Sequence, residues 1–383
     1  MTFNFDDCVD RTSSDSLKWN YYEREVLPMW IADMDFRSPE TIIQALHERV
    51  EHGVFGYPRE PQELRQILVN RMQSLYGWTI TESEIVFLPG IVTALNVVCH
   101  AVARPGDGVM VQTPVYPPIL GANEFAGLTR ESMELTRESD GRYCIDFDRF
   151  EQAIGEQTRL FILCNPHNPV GRVFSRAELE RMADICLRHN LVICSDEIHC
   201  DLLYPGNTHI PIASLAPEIA AQTITLMAPS KTFNIAGMKC SFAIVQNPEL
   251  RAKLKKADEG MMGHVNILGF TAALAAYRSG IPWLEELLDY LDGNRRVLQQ
   301  YVKEGMPDIE MTVPEGTYLA WLDCRKLDLD LSPARFFERE ARVGLNDGAI
   351  FGDGGEGFVR LNFGCPRSTL MEALERMKTA LKR

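Results

Sequence analysis

A chain of 383 residues, 45% hydrophobic and 24% charged, is neither mainly disordered nor fibrous, and its length suggests two or three structural units around a substantial core. Its 53 acidic and 39 basic side chains leave a net charge of −14, which favours solubility and argues against broad binding to nucleic acid or anionic membrane. The ten cysteines are scattered, some inside apolar runs (Cys164, Cys194), and none sits at zinc spacing; no metal, reduced thiols and a cytoplasmic location are expected. The opening MTFNFDDCVD is acidic and has neither the basic nor the apolar region of a signal peptide. No apolar run approaches the ~18 residues of a membrane-spanning helix.

In chain order, Ser38 and Pro39 mark a helix start and Gly53 a stop. Strand-like runs follow at Ile85 to Leu88, Val109 to Gln112, Leu160 to Cys164, Leu191 to Cys194, Ile224 to Met227 and Ser241 to Val245. Ser175 and Glu178 form a capping box opening a helix that should run to about His189. Such alternation of strands and helices predicts an α/β domain around a mainly parallel sheet. After Gly280 come a long polar-faced helix, strand-like pieces at Tyr318 to Leu322 and Phe358 to Asn362, and a final helix; Ser332 and Pro333 mark a further helix start, with Gly344 at its far end. The expected division is a large domain over 46–285 and a smaller α+β domain from 1–45 with 286–383.

Five of the strand runs end in polar clusters: Pro89-Gly90-Ile91-Val92, the TPVYPP containing Tyr116, Asn165 through Asn168 to Gly171, Ser195-Asp196 with His199, and Ser230-Lys231. Ligands of open α/β sheets bind just beyond the carboxyl ends of strands, so the five together indicate a site. The Gly90 turn entering a helix offers free N–H groups and a positive dipole end, suited to a phosphate, although alone it would read as an ordinary turn. Asp196 after an apolar strand needs a cationic partner such as a pyridinium nitrogen; a helix cap or structural ion pair is the alternative. Lys231 stands between an apolar strand and the uncharged Thr-Phe-Asn-Ile-Ala-Gly. Desolvation there lowers a lysine pKa, as a Schiff-base lysine requires, whereas a lone lysine after a strand is ordinarily a surface residue. Asn168 can donate to a ring oxygen or be a turn residue, and Tyr116 can stack on a flat cofactor or simply pack its loop. Arg360 inside a strand can grip a carboxylate with two parallel hydrogen bonds, or face water from an edge. The Gly-rich GDGGEGF precedes a strand and reads as a flexible turn.

With these residues the chain resembles the fold-type-I pyridoxal-phosphate enzymes over nearly its full length, through HNPVG, SDEIH, SK before a Gly-containing stretch, and a late RLN, in that order. PMWIADMDF at 28–36, NPHNPVGRVF, SDEIHCDL, APSKTFNIAG and RLNFGCPR more narrowly resemble the cystathionine β-lyase subgroup of MalY/PatB-type C–S lyases. The resemblance implies an aspartate-aminotransferase-like fold and bound pyridoxal 5'-phosphate, with Lys231 as Schiff-base lysine and proton shuttle. It implies Asp196 on the pyridine nitrogen, Asn168 on the ring hydroxyl, Tyr116 stacked on the ring, and Ser230 with the backbone of Ile91 and Val92 on the phosphate. Arg360, with Ala32 and Asn168, would bind an amino-acid substrate. Tyr57 would reach the phosphate of a neighbouring subunit, making a homodimer with its active site at the interface. Two positions depart from many transaminases of this fold: Lys239 stands where they have Arg, and His199 where they have Tyr. Both face the cofactor by the resemblance, and both weigh against a transaminase.

The reaction so implied is β-elimination from a cysteine thioether such as cystathionine, giving a thiol, pyruvate and ammonia. An aminotransferase with the same pocket is the alternative, and a cofactor-bearing protein that binds a regulatory partner is a third. Tyr22, Phe36 and Met262 are candidate walls for the leaving group.

Overall fold

The computed structural model describes residues 3–260 and 262–382. One sheet gathers seven strands: β1 (Ile85–Leu88), β2 (Gly108–Thr113), β3 (Thr129–Glu134), β4 (Thr158–Cys164), β5 (Val192–Asp196), β6 (Thr223–Met227) and β7 (Ser241–Ile244). Their order across the sheet is β1-β7-β6-β5-β4-β2-β3. Pairing is parallel from β3 through β6, and β7 runs antiparallel to both neighbours. All six expected strands are present. The edge strand β3 escaped the sequence reading because its Thr-Arg-Glu-Ser-Met-Glu buries only Met133 and lacks an apolar run. A sheet edge that is wet on one side carries no such signal.

Helices cover both faces. α1 (Glu40–Glu51) starts after Pro39 and stops before Gly53, whose φ of 75° ends the helix as expected. α2 (Gln62–Tyr76) ends on left-handed Gly77. α3 (Ile91–Val102) lays Ala94, Leu95 and Val98 on one face of the sheet. α4 (Arg176–Arg188) lays Leu179, Met182 and Cys186 on the other, opened by the Ser175–Glu178 capping box. Each fully buried leucine here contributes about 1.5–3 kcal/mol by leaving water. α5 (Ile267–Ser279) packs on α1, and the long α6 (Ile281–Gly305) spans position 285 without a break.

A second, antiparallel sheet holds β8 (Glu310–Thr312), β9 (Leu319–Asp323), β10 (Asn346–Asp347) and β11 (Phe358–Asn362) in the order β8-β9-β11-β10, flanked by α7 (Arg367–Ala380). The helix opened by Ser332 and Pro333 does not reach Gly344. It widens over Phe337–Ala341 and ends at left-handed Arg342, and Gly344 lies in a short strand paired with Leu27–Pro28. Packing explains that glycine: a Cβ there would sit 2.3 Å from the Tyr22 ring.

The registers align the strand ends. Cys164 stands beside Asp196, and Asp196 beside Leu226. Antiparallel β7 starts at this same end, with Ser241 beside Leu88, so the residues just before it join the loops that follow β1, β4, β5 and β6.

Candidate active site

At this end a cavity of about 180 Å³ is lined by Ala32, Ile91, Val92, Tyr116, Asn168, Asp196, His199, Ser230, Lys231 and Lys239, among others. Ten of the twelve residues given cofactor or substrate roles from the sequence therefore meet in one place. Arg360 stands directly behind, its Nη1 donating to Asn168 Oδ1 at 2.9 Å. Tyr57 is elsewhere, fully exposed on a loop without regular structure. A wider groove of about 830 Å³, beside Trp78 and Pro217, gathers no comparable set of titratable groups.

Lys231 sits in the short helix Pro229–Thr232 that follows β6. Its Nζ donates to the Ala32 carbonyl at 2.5 Å. Burial and the Arg360 guanidinium pull its amine down to about 8, against the opposing pull of Asp33 and Asp196. Burial pushes the Asp196 carboxyl up to about 7, although the Ile198 N–H donates to its Oδ1 at 3.2 Å and Lys231 favours its charge. His199 is buried with Nδ1 unpartnered, and burial holds it well below its ordinary value, so its ring is neutral. Burial raises Tyr116 and lowers Arg360 to about 10, which leaves both in their ordinary charge states at neutral pH.

Arg360 also fixes which way Asn168 points. Because the guanidinium occupies Oδ1, the amide nitrogen is left as a donor at the cavity wall. Gly90, with φ 117°, caps α3 without any side chain on the first-turn N–H groups. The Lys239 side chain crosses this turn, its Cδ 3.9 Å from where a Gly90 Cβ would be. An open helix N-terminus under a lysine is an anion site in both geometry and charge.

Residues 30–36 are the feature that sequence reasoning named but did not explain. Nearly every carbonyl of this stretch accepts a side-chain donor. Trp30 takes Arg360 Nη2 at 3.0 Å, and Ile31 takes Asn362 Nδ2 at 2.6 Å. Ala32 takes both Lys231 and the Tyr318 hydroxyl, the latter at 2.9 Å. Asp33 takes Asn362 at 2.6 Å and Lys18 at 3.2 Å, while Met34 and Phe36 share Asn234 Nδ2 at 2.9 and 2.8 Å. Tyr318, Asn362, Asn234 and Lys18 were not given roles from the sequence. A buried polar residue inside an apolar run, as in Phe-Val-Arg-Leu-Asn-Phe, is the signal that marks Asn362. Of the candidate walls, Tyr22, Phe36 and Met262 are not among the cavity's lining residues, and Phe36 packs instead against Phe5 and Tyr290, with ring centroids 5.2 and 5.6 Å away.

The chain is similar to known proteins along nearly its whole length. The chain is 41% identical to a protein named cystathionine beta-lyase PatB from Bacillus subtilis, over 99% of this chain and 100% of that one. Among solved structures it is similar to OvoB (46% identity, TM-score 0.95, 99% of each chain). It is also similar to the PLP-bound C-S lyase from Staphylococcus hominis (34% identity, TM-score 0.94, 100% of this chain and 99% of that one). The model of one family, described as aminotransferase class I and II, matches residues 24–377, which take in residues 30–36, the Gly90 turn, Lys231 and Arg360; the chain belongs to that family.

Proposed function

We propose that this chain is a pyridoxal-phosphate-dependent carbon–sulfur β-lyase that cleaves cystathionine or a related cysteine thioether to a thiol, pyruvate and ammonia. One observation carries the reading: Lys231, Asp196 and Asn168 meet in one cavity with Arg360 behind it, in a chain 41% identical end to end to a cystathionine beta-lyase.

The residues fit the cofactor. Asp196 is a buried carboxylate without a cation in contact among the described residues, as a pyridinium nitrogen would require. The free amide of Asn168 suits a ring oxygen, and neutral His199 and Tyr116 suit the ring itself. The open N–H groups of Ile91 and Val92, with Ser230 and Lys239, suit a phosphate. When bound, pyridoxal phosphate supplies an aldehyde for an amine and a protonated ring that takes up the electron pair left at a substrate Cα.

The chain's own groups do the rest. Arg360 and the Ala32 N–H hold the substrate carboxylate. Lys231, drawn down to about 8, is partly uncharged near neutrality and takes the Cα proton. The thiolate then departs from Cβ, and water completes the balance to pyruvate and ammonia, so no 2-oxo acid is consumed. Exposed Tyr57, beside exposed Val54 and Phe55, supports a homodimer in which this loop reaches the partner's site. Ten unpaired cysteines support a cytoplasmic setting; among the described residues no helix is long and apolar enough to cross a membrane.

Pyruvate release from cystathionine, cystine and S-alkyl cysteines, measured with and without a 2-oxo acid, tests the reading. Acceptor-free release is expected. Turnover that demands the acceptor identifies an aminotransferase, and a partner captured without any turnover identifies a regulatory binder.

A further inference from the structure

Arg360 and Asn362 are two apart on β11, so their side chains leave the same face of the strand. They grip successive carbonyls of the chain beside the cavity, those of Trp30 and Ile31. Asn362 is fully buried and both its amide hydrogens and its oxygen are engaged: Nδ2 donates to Ile31 O and Asp33 O, each at 2.6 Å, and Oδ1 accepts from the Gly364 N–H at 2.7 Å. The Asp33 N–H closes a tight turn onto the same Ile31 carbonyl at 2.9 Å.

The Ile31–Ala32 peptide is trans, so its carbonyl and the Ala32 N–H point in opposite directions. Drawing the carbonyl onto Asn362 therefore turns the N–H away from Asn362. Ala32 lines the cavity, and its N–H meets no protein acceptor among the described residues. A backbone donor is thus held free at the cavity wall, two residues along the chain from the Trp30 carbonyl that Arg360 anchors. We propose that Asn362 is a positioning residue that aims the Ala32 N–H at the α-carboxylate of an amino-acid ligand, so that carboxylate recognition is shared between Arg360 and a backbone donor set by Asn362. This rests on the reading of Arg360 and Ala32 as the carboxylate site.

The test uses the holoenzyme and two ligands that share an amine, L-alanine with a carboxylate and ethylamine without one. Affinity for each is read from the change in the bound cofactor's visible absorbance. In Asn362→Ser, alanine binding should weaken about 10–100-fold, the worth of a hydrogen bond to a charged group, with ethylamine binding unchanged within about twofold. Equal weakening for both ligands, or none for either, overturns the proposal. A general loosening of the fold would move both ligands alike. Arg360→Met separates the two layers. If it leaves the alanine preference intact, the carboxylate reading itself fails; if it abolishes the preference while Asn362→Ser does not, only the role of Asn362 fails. Should Asn362→Ser lose the cofactor absorbance, Asn362→Asp, of the same shape but with acceptors facing the two carbonyls, decides by the same ratio.

Discussion

Two lysines touch residues 30–36 from distant parts of the chain, and their surroundings differ in kind. Lys18 is fully buried with Asp35 at 2.7 Å and Asp33 at 3.9 Å, and Asp35 in turn accepts from Arg11 at 2.7 Å and the Trp19 indole at 2.9 Å. Lys231 contacts a carbonyl, faces the cavity, and has no carboxylate at ion-pair distance among the described residues. Fully matched, a buried ammonium is scaffolding whose loss strands its partner. Under-matched, it has a depressed pKa and a proton to exchange. The chain thus uses one residue type for two purposes, and the count of carboxylates decides which.

Replacing the under-matched lysine should have the largest effect on chemistry. Lys231→Ala is expected to cost at least the ~10²–10⁴-fold of a positioned base and to lack the absorbance of lysine-bound cofactor, while its thermal midpoint stays near wild type; retained turnover would overturn its assignment. Lys18→Met should do the reverse. Stranding part of the Asp35 charge should cost stability near the lower end of ~3–5 kcal/mol, since Arg11 and Trp19 remain, and denaturant unfolding measures it; an unchanged midpoint would mean that the matching of Lys18 contributes nothing.

A subtler contrast lies in pH. With the Asp196 carboxyl raised to about 7 in the fold, against 3.8 unfolded, the native state binds more protons between those values. The cofactor-free protein should therefore lose stability as pH rises from about 4 to 7. Asp196→Asn should flatten that slope and be the more stable form at pH 7, with the two converging near pH 4; parallel pH profiles would show that burial does not strain this carboxylate. The smallest effect concerns labelling. An amine-reactive probe on cofactor-free protein should modify Lys231 with a midpoint near 8 rather than 10.5, while Lys18 stays protected; a midpoint at the ordinary value would remove the distinction between the two lysines.

Much of this was legible because apolar strands make their polar ends conspicuous. Lys231, Asp196, Asn168 and Tyr116 each follow a buried run, and the structure brings those ends to one cavity. The grip on residues 30–36 was not legible, because backbone carbonyls leave no trace in sequence and their donors lie up to 331 residues away. Asn362 and Tyr318 read as strand residues until their acceptors are seen. The polar edge strand β3 and the early end of the Pro333 helix were missed for local reasons, an exposed face in one and a packing glycine taken for a stop in the other.

The holds of Arg360 on Trp30 and of Asn362 on Ile31 fall on main-chain oxygens, which every amino acid possesses. Trp30 and Ile31, half-buried beside the cavity, could thus be exchanged while Arg360 and Asn362 keep the backbone where it is. A combinatorial library at Ile31 therefore varies a side chain next to Ala32 of the cavity wall without touching these backbone contacts, whereas exchange of Trp30 also removes its indole hydrogen bond to the Lys18 carbonyl at 3.2 Å.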